Sequence, residues 1–398
     1  MMKIKGKMRH SFIYRFGRVL CLPFLVRKFN LKYDKIKVPH TPYIVVANHL
    51  TNWDPLLIGM SFKKSMYYVA SDHILRMGFK GKLLRFAVSP IARVKTAQET
   101  QTVITIFRRL KEKCNVCIFA EGTTSFDGET GEIPLSIGKL IKRAGVALVT
   151  YRFTGAYFSH PRWTRFTHKG KMEGRLVQVY SPEKIASMSE EEIYQVIKND
   201  IYVNAYDDQK KEKIAFRGKN PAEYLETVLY CCPKCKQFGT LTSSNDLLFC
   251  TCGFKVRYNE YCYFESPNNK EGPPFETIMD WVKWEREEID KLEAALAAND
   301  ADNNTVIFTD INQQLFETAR ASHNTLIAEG NLIMYKDRLS VNGTDILFNE
   351  IIEMGIITMK TIVFATKDKI YEIHSKHPRS ALKYWDMFKK IKQKTGGN

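Results

Sequence analysis

Between residues 43 and 151, short apolar runs rich in β-branched residues alternate with segments of helical period, and this alternation fixes the fold class of the first half of the chain. Residues 43–47, 66–70, 91–94, 116–120 and 146–151 read as strands, and 55–60, 76–85, 103–110 and 135–143 as helices. Strands and helices taken in turn give an α/β domain: a mixed, largely parallel sheet flanked by helices. Functional groups in such sheets collect at the carboxyl ends of the strands. Asn48-His49, Arg93 and Glu121-Gly122-Thr123 all fall at such ends.

Asn48-His49-Leu50-Thr51-Asn52-Trp53-Asp54-Pro55 supplies a histidine and a carboxylate five positions apart. Side chains five apart on a helix do not share a face, so His49 and Asp54 can meet only across a turn. A strand-to-helix junction provides one, with Asp54 as helix cap and Pro55 in the first helical position. Imidazole is suited to removing a proton from an attacking hydroxyl near neutral pH, and a carboxylate beside it fixes the tautomer and stabilises the imidazolium. His49 is therefore the candidate base and Asp54 its orienting partner. In the loop after the fourth strand, Gly122 lets backbone N–H groups approach a ligand, Thr123 adds a hydroxyl, and Glu121 accepts hydrogen bonds from a polyol. Arg93 is a candidate phosphate clamp, because guanidinium presents paired donors.

The order of Asn48-His49…Asp54, then Ser89-Pro90-Ile91-Ala92-Arg93, then Phe119-Ala120-Glu121-Gly122-Thr123 resembles the glycerolipid acyltransferase family typified by bacterial lysophosphatidate acyltransferase. The resemblance covers roughly residues 10 to 205. It implies that His49 and Asp54 catalyse acyl transfer from a thioester, acyl-CoA or acyl-carrier protein, to a lysophospholipid, while Arg93, Glu121, Gly122 and Thr123 bind the acceptor. Ala120 stands where the family usually has Pro, Thr124 where it has Arg, and Ser136 where a Lys is common. These departures bear on the acceptor headgroup more than on the chemistry.

The formal net charge of +17 favours a polyanionic partner. The excess is concentrated before residue 40, where eleven Lys and Arg residues face Asp34 alone. Phe12, Phe16, Leu20, Phe24 and other apolar residues lie between those cations, and no uncharged stretch there is long enough to span a bilayer. Residues 1–40 read as a basic amphipathic segment for the interface of an anionic membrane, or as helices packed on their own domain. The nine cysteines, an odd number with five clustered, argue against a secreted disulfide framework. The expected location is the cytoplasmic face of a membrane, peripheral or monotopic.

Cys232-Pro-Lys-Cys235 and Cys250-Thr-Cys252 flank a turn-rich segment and present four thiolates to a structural zinc, an arrangement that resembles a zinc ribbon. Cys231 and Cys262 are alternative ligands. A zinc ribbon on a basic chain also admits a nucleic-acid-binding reading, which the sparse cations of the ribbon disfavour. A non-catalytic membrane scaffold is a further alternative, against which His49 and Asp54 stand. After Pro273-Pro274, residues 279–298 read as a charged helix. Short strand patterns at 305–308, 326–335, 338–341, 352–359, 361–365 and 369–373 precede a final helix at 380–391. That β-rich module resembles pleckstrin-homology or GRAM domains. The expected organisation is a membrane-interface segment (1–40), an acyltransferase domain (41–210), a zinc ribbon (225–265), a linker helix (275–300) and the β-rich module (303–396).

Overall fold

The computed structural model describes residues 2–20, 22–75, 78–93, 99–267, 272–298, 302–318 and 324–394. Cys21, Arg76 at the start of an expected helix, Val94 at the end of an expected strand, and linker residues 299–301 lie outside them. The chain divides into two compact units, residues 1–219 and 220–398.

In the first unit, α1 (Met2–Leu20) and α2 (Leu22–Phe29) lead into β1 (Leu31–Tyr33) and β2 (Tyr43–Ala47). There follow α3 (Asp54–Leu57), β3 (Met66–Ser71), α4 (Asp72–Leu75), α5 (Gly78–Val88), β4 (Ile91–Arg93), α6 (Glu99–Lys111) and β5 (Asn115–Phe119). The unit continues through α7 (Ser136–Ala144), β6 (Ala147–Thr154), α8 (Ala156–Ser159), β7 (Met172–Tyr180), α9 (Pro182–Ser187), α10 (Glu190–Ile201) and α11 (Ala205–Glu212).

The seven strands form one sheet in the order β1-β7-β6-β2-β5-β3-β4. Strands β4, β3, β5, β2 and β6 run parallel, β7 is antiparallel to β6, and β1 is parallel to β7. The sheet is mixed, as expected. Every residue of β2 and β5 is buried, which is why both read as unbroken apolar runs with no alternation. On one face, Ile193, Ile197 and Ile201 of α10 join Ile137 and Ile141 of α7 and the strand residues Ile44, Val46 and Val116 in a single core cluster. Helix α10 begins at a reciprocal cap: the Ser189 hydroxyl accepts the Glu192 N–H at 3.0 Å, and Glu192 accepts the Ser189 N–H at 2.7 Å.

The N-terminal helices pack on their own domain through one set of side chains and leave another set in solvent. Inward, Tyr14 places its hydroxyl 3.1 Å and 3.0 Å from the carbonyls of Gly59 and Phe62, and Arg18 donates to the carbonyls of Gly59 and Met60. Outward, Phe12, Phe16, Val19, Leu20 and Phe24 are exposed. No helix among the described residues is long and apolar enough to cross a membrane.

The second unit opens with a four-stranded antiparallel sheet, β8 (Leu241–Ser244), β9 (Leu247–Cys250), β10 (Lys255–Tyr258) and β11 (Phe264–Glu265), in the order β11-β10-β9-β8. Helix α12 (Ile278–Ala298) follows. Seven more strands come next: β12 (Phe308–Thr318), β13 (Thr325–Met334), β14 (Arg338–Val341), β15 (Thr344–Leu347), β16 (Glu353–Ile357), β17 (Thr361–Ala365) and β18 (Ile370–Ser375). They form an antiparallel sheet in the order β15-β14-β13-β12-β18-β17-β16, and α13 (Leu382–Lys394) completes the unit. The strand expected at 305–308 is in fact the eleven-residue β12, which begins where that reading ends.

Candidate active site

The site is built at the carboxyl end of β2, the strand with β5 on one side and β6 on the other. Asn48 extends the pairing with β6 by its side chain: its amide donates to the Phe153 carbonyl at 2.9 Å and accepts the Phe153 N–H at 2.8 Å. This fixes the backbone from which His49 projects.

The turn from His49 to Asp54 brings the pair together. Asp54 Oδ2 lies 3.0 Å from His49 Nδ1 and also accepts the N–H groups of Leu50 at 2.7 Å and Thr51 at 2.9 Å. Asp54 is thus not the cap of the helix that follows. Trp53 occupies that position, and the Asp54 carboxylate turns back to close the loop it ends. The Asp54 side chain is fully buried, whereas that of His49 is 17% exposed, so the imidazole is reachable and its partner is sealed from water. With Nδ1 facing the carboxylate, the neutral ring places its proton there and leaves Nε2 as the basic nitrogen. Phe119 at the end of β5 stacks on the imidazole, with centroids 4.5 Å apart.

The loop after β5 holds the His49 peptide from both sides. Glu121 Oε1 accepts the His49 N–H at 2.6 Å, and the Ser125 N–H donates to the His49 carbonyl at 2.9 Å. The other oxygen of Glu121 accepts the Gly131 N–H at 2.7 Å. Burial pushes the Glu121 carboxyl up to about 8, opposed by these two N–H donors. Both oxygens of Glu121 therefore engage backbone, a role for which the residue type alone gave no sign.

Arg93 and Gly122 also meet. Gly122 has φ +68°, and a Cβ there would lie 2.1 Å from Arg93 Nη1. Glycine is required both for the backbone turn and for the guanidinium resting against it. Thr123, next in the loop, is partly exposed. His49, Asp54, Arg93, Glu121, Gly122 and Thr123 are thus gathered about two strand-end loops. Asn48, Phe119 and Ser125 add positioning contacts. Arg162, 39 residues beyond Thr123, reaches the same loop with Nη1 3.2 Å from Thr123 Oγ1, a contact that no local pattern signals.

In the second unit, Cys232, Cys235, Cys250 and Cys252 bring their Sγ atoms within 4.8 Å of one another. Cys231 and Cys262 are outside this group: the Cys231 thiol lies 3.5 Å from the Lys236 carbonyl, and Cys262 is buried elsewhere in the unit. A tetrahedral ion with metal–sulfur bonds of about 2.3 Å sets its sulfurs about 3.8 Å apart. The Cys232–Cys252 and Cys235–Cys250 separations are 3.6 Å and 3.8 Å. The donor set fits a closed tetrahedral centre. Its first pair is anchored from behind: the N–H groups of Tyr230 and Cys231 both donate to Glu285 Oε1, at 2.5 Å and 2.6 Å. Trp281 Nε1 donates to the Cys231 carbonyl at 3.0 Å, and the Tyr230 hydroxyl lies 3.1 Å from Asp386 Oδ2.

A histidine–aspartate pair thus stands at the end of a central strand of an α/β domain, held by the neighbouring strand-end loop. Residues 31–154, less than half of the chain, match the family model described as Acyltransferase, and the first unit thus carries an acyltransferase-type domain. Among solved structures, the chain is similar to PlsC, the 1-acyl-sn-glycerophosphate (LPA) acyltransferase of Thermotoga maritima. Identity is 16%, the match covers 53% of this chain and 98% of that one, and the TM-score is 0.38. No curated protein matches the chain.

Proposed function

We propose that this chain is a glycerolipid O-acyltransferase that moves a fatty acyl group from a thioester, acyl-CoA or acyl-carrier protein, to the free hydroxyl of a lysophospholipid such as 1-acylglycerol-3-phosphate. The observation that carries the reading is the 3.0 Å contact of His49 Nδ1 with the buried Asp54 carboxylate. His49 Nε2 takes the hydroxyl proton as the acceptor oxygen bonds to the thioester carbonyl carbon. The carbon–sulfur bond then breaks, and the departing thiolate recovers that proton from the imidazolium. Asp54 stabilises the cation formed between these steps. Arg93, Gly122 and Thr123 hold the acceptor, and Glu121 keeps the His49 backbone in register. No acyl-enzyme is formed.

The exposed Phe12, Phe16, Val19, Leu20 and Phe24, set among Arg15, Arg27 and Lys28, support attachment to an anionic membrane surface on its cytoplasmic side, where a lysophospholipid is met. The four cysteine sulfurs support a structural zinc. The strand order and closing helix of the last seven strands support a pleckstrin-homology or GRAM-like module.

Thiol release from acyl-CoA, and separately from acyl-carrier protein, with a panel of lysophospholipids tests the reading. Release that depends on one acceptor and disappears in His49→Ala is expected. Normal release by H49A, or silence of folded wild-type protein across the panel, overturns it.

A further inference from the structure

Arg162 lies outside every motif that the sequence presents, in the stretch between α8 and β7. Its side chain is buried beneath the loop after β5, with the guanidinium carbon 3.7 Å from the centroid of the Phe126 ring. Nη1 lies 3.2 Å from Thr123 Oγ1 and 2.9 Å from the Thr124 carbonyl. Desolvation lowers its pKa to about 9, which still leaves it cationic at neutral pH.

A guanidinium has donors only. Thr123 Oγ1 is therefore the acceptor in this contact, and its own proton points away from Arg162. Accepting from a cation also polarises the hydroxyl and makes it a stronger donor. Thr124 is buried but Thr123 is partly exposed, so that donor is available to a ligand. On the preceding residue, Gly122, the Arg93 guanidinium rests against the backbone. Three successive loop residues thus carry one guanidinium beside the backbone and a second behind the Thr123 hydroxyl. This is a donor-rich place suited to an oxygen that bears negative charge.

We propose that Arg162 is a positioning residue of the acceptor site, which fixes Thr123 as an outward hydroxyl donor so that Thr123 and Arg93 together receive a phosphoryl oxygen of the acceptor. The proposal rests on the acyltransferase reading of His49 and Asp54. It makes the acceptor a phosphate monoester, and it makes Arg162 act through Thr123 and not by touching the lipid.

The test is steady-state kinetics of the full chain in mixed micelles with 1-acylglycerol-3-phosphate, comparing Thr123→Val, Thr123→Ser, Arg162→Gln and the double variant R162Q/T123V. The expected results are a KM for the acceptor raised about tenfold or more in T123V with kcat little changed, and a near-normal KM in T123S. R162Q alone raises the same KM, but adds less than about twofold in the T123V background, where there is no hydroxyl to orient. Multiplied effects in the double variant mean that Arg162 does not work through Thr123, and overturn the proposal. So does a loss confined to kcat, which would place Thr123 at the reacting carbonyl. Should R162Q fail to fold, T123V against T123S decides: equal KM values overturn the proposal. Wild-type transfer that depends on His49 but is insensitive to T123V sinks this inference alone, whereas absence of any His49-dependent transfer sinks the parent reading with it.

Discussion

The replacement Asp54→Asn separates the two roles of the buried carboxylate. Oδ2 accepts three donors, His49 Nδ1 at 3.0 Å and the N–H groups of Leu50 and Thr51. In D54N the amide oxygen can occupy the same place and accept all three, because the opposite flip would set an NH2 group against three donors. The turn and the histidine tautomer are therefore retained, and what disappears is the negative charge. A unit charge about 4 Å from a forming imidazolium is worth about 4 kcal/mol at an effective dielectric of about 20. The amide dipole recovers part of this, so kcat falls about 100- to 1000-fold while KM stays close to wild type. Denaturant unfolding should show D54N within about 2 kcal/mol of wild type. In D54A the N–H groups of Leu50 and Thr51 are left without their acceptor, at about 2 to 4 kcal/mol. Acyl-CoA thiol release measured beside unfolding curves makes the comparison. If D54N retained more than about a fifth of the wild-type kcat, the carboxylate would only be closing the turn, and the reasoning would be refuted.

Gly122→Ala brings a Cβ into the space of Arg93 Nη1 at a backbone angle of +68°, so the KM for a phosphate-bearing acceptor should rise about tenfold or more, which acceptor titration will show. Glu121 binds its proton more tightly folded, near pH 8, than unfolded, near 4.5. Its contribution to stability is therefore full below about pH 4.5 and is lost as pH rises through about 8, and E121Q should flatten the fall of unfolding free energy across that window. Elemental analysis should find about one zinc per chain, lost in Cys250→Ser and on strong chelation, with a lower unfolding temperature for the second unit. Glu285→Ala strips the shared acceptor from the Tyr230 and Cys231 N–H groups and should lower stability by about 2 to 4 kcal/mol in denaturant melts, with the four cysteines intact.

The strands legible in the sequence include β13, most of whose positions are not buried, and two that are buried throughout. Residues 43–47 and 361–365 were read with the bounds the structure gives them, because an unbroken β-branched run has no competing period. Strand β1 has only three residues, and β7 shows no regular alternation, with Met172 and Gly174 buried, Arg175 and Gln178 exposed and the rest half-buried, so neither announces itself. Strand β12 is central in its sheet yet carries Asp310-Ile311-Asn312-Gln313-Gln314. Its pairing with β13 breaks register there, and Gln313 is buried because Ser375 and Arg379 satisfy its amide. Helix α10 carries a local signal of its start, the Ser189…Glu192 cap. At the site, the residue types of His49 and Asp54 and their position after a strand were enough to pair them. The backbone clamps by Glu121 and Ser125 were not legible, since what a carboxylate or an N–H meets depends on tertiary placement. Arg162 was invisible for the same reason.

The anchoring of Tyr230 and Cys231 by Glu285, Trp281 and Asp386 means that the backbone leading into the Cys232–Cys235 pair is held by residues of α12 and α13. An ion bound at the four cysteines then acts by mass action on more than the small sheet around it. At a free concentration of about 1000 times its dissociation constant, a ligand that binds only the folded form adds about 4 kcal/mol to the unit that folds with its site. If the four cysteines hold such an ion, its supply bears on how long the second unit survives degradation, and hence on how much of the protein a cell retains.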